Sequence, residues 1–360
     1  MNYRLRQEKL LGALYESRLE ALVITHSANI RYLCGFTGSA GSLVAGGRGL
    51  VLYADGRYVE QARKQTQGAR VVMARGPALA AAAAGLARRG QGAVGIEAEH
   101  LTVAARSALA ASLPKGSSLC ETRGVVERLR MVKDPAEIEL IRAAVRAGAA
   151  LLPTAVKAIR AGRTEAAVAA EIEYAARRAG AERMSFDTII ASGARSALPH
   201  GVASNAPISR RGFVVMDFGV ILAGYCSDMT RTAHVGRPRR TTQAMYQAVL
   251  EAQQAGVAAV RPGIEAAKVD RAARRVLRSA GMAQWFTHST GHGVGLEVHE
   301  PPRLARDSTE VLLPGMVITV EPGVYIPGRE GVRIEDMVLV TERGAEVLTP
   351  ASKEMIVVSG

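Results

Sequence analysis

Aromatic residues make up only 4% of this chain of 360 residues, and there is a single tryptophan. Ala, Val, Leu and Ile must therefore fill any core. The interleaved aromatic platforms on which nucleic-acid bases stack are missing. Cysteine is equally scarce. Cys34, Cys120 and Cys226 form no CxxC pair and are odd in number, which argues against a disulfide framework and for reduced thiols in a cytoplasm. Long apolar runs are also lacking. The first ten residues are polar and carry no apolar signal core. The run Ala78–Ala87 is mostly alanine and too short to cross a bilayer, so it reads as a surface helix and no membrane partner is expected. Lys and Arg exceed Asp and Glu by 13, yet the basic residues are scattered, with no run of five. A nucleic-acid partner is not expected either.

The apolar fraction is 48%, enough for a sizeable core, and the length suits about two domains of ~100–200 residues. The first third alternates short apolar runs (Ala21–Thr25, Ser42–Ala45, Gly49–Tyr53, Arg70–Met73, Ala93–Ile96) with helical stretches over 59–67 and 77–89. That alternation predicts an α/β layer. A boundary falls near Glu127–Lys133, giving domains 1–128 and 129–360. A helix opens the second: Asp134 caps it, Pro135 takes its first position, and Glu137 completes a capping box. This domain carries an internal repeat. Arg160-Ala-Gly162, Val168 and Arg177-Arg-Ala-Gly180 recur 101 residues later as Arg261-Pro-Gly263, Val269 and Arg278-Ser-Ala-Gly281. Each copy reads as loop, helix and glycine C-cap. Two such half-domains would face each other across a cleft.

Five residues in this domain carry the chemistry. Asp217 sits in the apolar run Val214-Val-Met-Asp217-Phe. Asp228 follows eleven residues later, across a stretch able to fold back and set the two aspartates side by side. His292 lies between glycines in Thr290-Gly-His292-Gly-Val-Gly, a setting that lets backbone approach a metal or substrate. Glu321 and Glu335 lie in Val320-Glu321-Pro and Ile334-Glu335-Asp336. A lone carboxylate in an apolar run is costly to bury. Four of them with one imidazole fit a cluster of divalent ions: manganese first, with cobalt, zinc or iron as alternatives. Five ligands are too many for one catalytic ion that must keep an open position. They suit two ions ~3.5–4 Å apart sharing bridging carboxylates.

The chain has seven histidines. Shifted by the repeat, His200 falls two residues from His299, so each half would present one histidine to the cleft. There the pair could stabilise an oxyanion and move protons. His26, His100 and His234 read as ordinary hydrogen-bonded side chains.

Together these stretches resemble the pita-bread metallopeptidases of the Xaa-Pro aminopeptidase and prolidase branch. The matching runs are Ser185–Gly193, Ala197–His200, Met216-Asp217-Phe-Gly, Asp228-Met-Thr-Arg231-Thr, Thr290–Pro302, Val320-Glu321-Pro-Gly and Arg333-Ile-Glu335-Asp336. Asn29–Gly38 and Tyr53–Tyr58 resemble that branch's amino-terminal domain. The resemblance implies a creatinase-like α/β domain followed by a pseudo-two-fold catalytic domain. It implies hydrolysis on the amino side of proline with two divalent ions. By it, Asp217 would chelate one ion, His292 and Glu321 the other, and Asp228 and Glu335 both. Glu321 would accept the proton, His200 and His299 would act on the substrate, and His288 would lie nearby. All five ligand positions hold ligating residue types, which argues against the metal-free relatives of this fold. Cleavage of a dipeptide also requires a group for the proline carboxylate, for which Arg303, Arg306 and Arg333 are candidates. The partners implied are proline-containing peptides, and a cytoplasmic homodimer is expected. The alternatives are a methionine-type or general aminopeptidase and a non-catalytic peptide-binding scaffold.

Overall fold

The computed structural model describes residues 1–88 and 92–359. It comprises two compact units, Met1–Arg130 and Met131–Gly360. The first unit is built on six strands: β1 (Ala21–Ile24), β2 (Gly41–Gly46), β3 (Gly49–Ala54), β4 (Ala69–Met73), β5 (Ala93–Glu97) and β6 (Ser118–Thr122), in the order β4-β3-β2-β1-β5-β6. β2 pairs antiparallel with both neighbours, and the other pairings are parallel. Each of the five strands expected from sequence is present within a residue or two. β6 was not readable, because Ser118-Leu-Cys-Glu-Thr122 lies half-buried at the sheet edge with no clear alternation.

The helix Ala78–Ala87 is no surface helix. Ala82, Ala83 and Leu86 are buried against Val44, Val51 and Tyr53 of the sheet. Small side chains let it lie close: a Cβ at Gly85 would stand 1.9 Å from the Tyr53 hydroxyl. Arg89, at the end of the helix expected over 77–89, lies outside the described residues.

The second unit opens with the helix Pro135–Ala149. Its Asp134 cap accepts the Glu137 N–H, and Glu137 accepts the Asp134 N–H in return. The repeat then appears as geometry. Gly162 and Gly263 both adopt positive φ (+83° and +81°), as do Gly180 and Gly281 (+90° and +69°). Each pair brackets a helix, Glu165–Arg178 or Ala267–Ser279. The Gly162 N–H donates to the Ile208 carbonyl and the Gly263 N–H to the Leu312 carbonyl. Each half then supplies three antiparallel strands. In the first half they are Ile189–Ser192, Gly212–Asp217 and Thr230–Val235. In the second they are Gly291–Gly293, Val317–Val320 and Asp336–Val340. This pseudo-two-fold arrangement is the pita-bread fold. The middle strand of each set ends on a carboxylate, Asp217 or the adjoining Glu321. Just before the third strand comes another, Asp228 or Glu335.

The second half is locked by a buried ion pair. Asp270, fully buried, receives the Arg274 Nε–H at 2.7 Å through one oxygen. Its other oxygen accepts the Thr290 N–H and hydroxyl at 3.2 and 2.8 Å. The pair thus fixes the strand that carries His292. Asp270→Ala leaves the Arg274 guanidinium buried without its counter-charge, a loss of about 3–5 kcal/mol. A lower urea midpoint with the m-value unchanged is expected. A midpoint equal to that of the unmodified chain excludes this role.

Candidate active site

Asp217, Asp228, His292, Glu321 and Glu335 all line one cavity of about 840 Å³ in the second unit. This is the size of ordinary ligand pockets, ~300–1,000 Å³. Asp228, His292 and Glu335 each bring one ligating atom within 4.8 Å of the others. Glu321 Oε1 stands 3.4 Å from His292 Nε2, and Asp228 Oδ2 stands 3.7 Å from it. The strand Gly212–Asp217 delivers Asp217 by pairing with Thr230, so that the chain folds back and returns Asp228 to the same end.

The glycines beside His292 serve the sheet rather than a ligand. A Cβ at Gly291 would lie 2.0 Å from the Thr319 carbonyl oxygen, and one at Gly293 would lie 2.2 Å from that of Pro301. The neighbouring strands come too close for any side chain there.

The electrostatics ask for a cation. Burial and the neighbouring carboxylates hold the acids of Asp228 and Glu335 well above the usual range, and burial pushes Glu321 up to about 8. Burial and the nearby His299 push His292 down to about 4, so its ring is neutral at neutral pH. His292 Nδ1 faces the Gly293 carbonyl at 3.0 Å. A carbonyl can only accept, so Nδ1 carries the proton and the Nε2 lone pair points at carboxylate oxygens. Asp217 Oδ1 and Glu335 Oε1 are buried and receive no hydrogen bond. Lone pairs turned on lone pairs, with two bare carboxylate oxygens, are what divalent ions would satisfy. The donor set fits them.

Around this cluster, Thr230 donates its hydroxyl to Glu335 Oε2 at 2.7 Å. Arg333, read from sequence as a candidate for the substrate carboxylate, is instead spent on the protein. It donates to Asp217 Oδ2 (2.5 Å), the Tyr325 hydroxyl (2.7 Å), the Pro199 carbonyl (3.1 Å) and Thr230 Oγ1 (3.0 Å). That commitment leaves too few N–H groups for a bidentate clamp. Tyr325 donates to His288 Nε2 at 2.9 Å. His288 is held neutral, its pKa pushed down to about 3 by burial and by the Arg333 charge. The order His288–Tyr325–Arg333–Asp217 therefore braces one carboxylate of the cluster. Tyr325 was missed from sequence. Its one signal was its place on the strand Gly323–Ile326, just past Glu321-Pro322.

His200 and His299 lie exposed on the cavity wall. The His299 ring meets that of His292 edge-on, with centroids 4.4 Å apart. Its partial burial against the cavity wall, then the charge of His200, lowers its pKa, while Asp217 opposes that shift. Arg303 lines the cavity with an exposed side chain. Arg306 is exposed but is not among the described lining residues. Phe186, Asp187 and Glu310, not singled out from sequence as site residues, also line the cavity.

Comparison with known proteins identifies the family. The profile of metallopeptidase family M24 matches residues 139–342, and that of the creatinase/prolidase N-terminal domain matches residues 6–132. The solved structure of a Xaa-Pro dipeptidase from Bacillus anthracis superposes with a TM-score of 0.96 at 41% identity, covering 99% of this chain and 100% of that one. An X-Pro aminopeptidase from Thermotoga maritima gives a TM-score of 0.89 at 34% identity, over 98% and 100%. A Xaa-Pro dipeptidase of Pyrococcus furiosus is 48% identical over 232 residues, 64% of this chain and 67% of the relative. With a creatinase/prolidase N-terminal domain ahead of its catalytic domain, this chain belongs to metallopeptidase family M24.

Proposed function

We infer that the chain is a Xaa-Pro metallopeptidase, hydrolysing the bond on the amino side of proline with two divalent ions held by Asp217, Asp228, His292, Glu321 and Glu335. The observation that carries this reading is the neutral His292 facing Asp228 and Glu321, in the same cavity as Asp217 Oδ1 and Glu335 Oε1, two buried carboxylate oxygens that receive no hydrogen bond. Asp217 would serve one ion, His292 with Glu321 the other, and Asp228 and Glu335 both. When bound, such ions polarise the scissile carbonyl and make water nucleophilic at neutral pH. The oxygen-rich donor set with one imidazole favours manganese.

The remaining steps belong to side chains. Glu321, whose Oε1 stands 3.4 Å from His292 Nε2 in the cavity, takes and returns the proton. His200 and His299 stabilise the developing oxyanion from the cavity wall. Proline is selected because its nitrogen bears no hydrogen and its ring fixes φ, a shape that a fitted wall can exploit. Of the three arginines, Arg303 is the reading we favour for a proline carboxylate, since it lines the cavity with its guanidinium exposed. The named activities of the relatives span dipeptidase and aminopeptidase, and we infer that this chain cuts both Xaa-Pro dipeptides and longer Xaa-Pro peptides.

Asp228→Asn weakens a ligand shared by both ions. Bound metal falls below two equivalents and turnover drops by orders of magnitude, while circular dichroism stays that of a folded chain. Two tightly held ions and full activity in this variant exclude the assignment.

His200→Ala and His299→Ala lower kcat by roughly 10²–10³, the usual loss for an oxyanion donor, with metal content unchanged. Loss of metal in either variant makes that histidine a ligand instead.

Ala-Pro and Ala-Pro-Ala are expected to be turned over, and Ala-Ala-Ala is not. Arg303→Ala raises KM for Ala-Pro more than for Ala-Pro-Ala, because only the dipeptide places its carboxylate next to the proline ring. Equal effects on the two substrates remove Arg303 as the clamp, and comparable cleavage of Ala-Ala-Ala points to a general aminopeptidase.

A further inference from the structure

A second group of ligating side chains lies in the first unit, and none of its members lines the peptidase cavity. The rings of His26 and His100 stack with centroids 3.7 Å apart and planes only 3° from parallel. His100 Nε2 stands 3.3 Å from Glu127 Oε1. One nitrogen of each ring and one Glu127 oxygen all fall within 4.8 Å of one another. Sequence patterning gave no reason to pair two histidines so far apart in the chain. The sheet does it.

The location is the point where the strand order reverses. From β1 the chain runs outward to β2, β3 and β4, then returns to β5 on β1's other side, and β1 and β5 are parallel. In open α/β sheets the crevice outside the carboxyl ends of such a pair is where ligands bind. His26 follows the carboxyl end of β1, and His100 follows that of β5. Glu127 reaches the same crevice from the helix Val125–Met131.

The surroundings orient the group as outer-shell partners orient metal ligands. Asn29 Nδ2 donates to Glu127 Oε1 at 2.6 Å and to Glu97 Oε1 at 2.7 Å. Glu97 Oε2 in turn accepts the backbone N–H groups of Thr25 and His26 at 2.7 and 2.9 Å. A cavity of about 10 Å³ opens beside the group, lined by Glu97, Glu99, His100 and Glu127 among others. That is room for one water-sized occupant, and Glu97, Glu99 and Glu127 are among its lining residues.

We propose that His26, His100 and Glu127 form a mononuclear site for a divalent cation of the zinc class, distinct from the peptidase ions. Two imidazoles and a carboxylate are a borderline donor set, suited to zinc, nickel or copper rather than to magnesium or calcium. Zinc–nitrogen bonds of about 2.0–2.1 Å set two ligating nitrogens roughly 3.3 Å apart, and one nitrogen of each ring already lies within 4.8 Å of the other. Binding turns the rings out of parallel so that their lone pairs converge. The ion then clips the helix carrying Glu127 to the carboxyl ends of β1 and β5.

The test uses the untagged full-length chain, equilibrated with low-micromolar zinc, desalted and analysed for metal. The unmodified protein is expected to retain one equivalent of zinc more than either His100→Ala or Glu127→Gln, with turnover of Ala-Pro the same in all three. His100 is exposed, so its replacement spares the core, and Glu127→Gln preserves shape while removing charge. Equal zinc in all three proteins, or a difference seen only at millimolar zinc, overturns the proposal. Because the measurement is a difference between proteins sharing the peptidase ligands, its failure is separate from failure of the two-ion reading, which Asp228→Asn decides.

Discussion

Mutual repulsion among buried acids is the constraint on which the catalytic unit depends. Asp217, Asp228, Glu321 and Glu335 are drawn into one cavity, and ordinary packing would drive them apart. What holds them is the pairing of strands on both sides, with Asp217 opposite Thr230 and Val320 opposite Asp336. Arg333 is a built-in counter-charge, its guanidinium set against Asp217 and steadied by Tyr325. The rest of the charge is met by protons taken up on Asp228, Glu335 and Glu321 or, in the reading favoured here, by metal. A site this costly in the absence of its cations is the mark of function rather than stability.

Much of this was legible in the sequence because the offending residues interrupt apolar runs. Asp217 and Glu321 stand out at the ends of Val214–Met216 and Val317–Val320, and the structure brings both to the cavity. The repeat was legible through glycines that two matched turns require at positive φ. The rest was hidden for physical reasons. Arg333 looks like an available guanidinium, and only the fold reveals that Asp217, Tyr325, Pro199 and Thr230 take its donors. Asp270 and Arg274 look like a surface i,i+4 pair until Thr290 is brought against them. The glycines around His292 suggested room for a ligand, whereas they permit close strand contact.

In the first unit the helix Tyr3–Glu16 escaped notice because its inward face is partly polar. Arg6 and Gln7 are buried there, donating to the Tyr32 and Leu33 carbonyls, and such residues break the apolar period that marks a helix in sequence. The stacked histidines were invisible for a related reason. Strand order, not spacing, makes neighbours of His26 and His100.

The two-fold repeat has a consequence for when this molecule can act. Each half brings one carboxylate at the end of its middle strand and one just before its third. Neither half holds the full set, and His292 arrives only with the second. In the two-ion reading, a chain with one half folded therefore lacks part of the ligand set, and so does one that has locally opened at a single sheet. On that reading, activity is an all-or-none property of the completed domain.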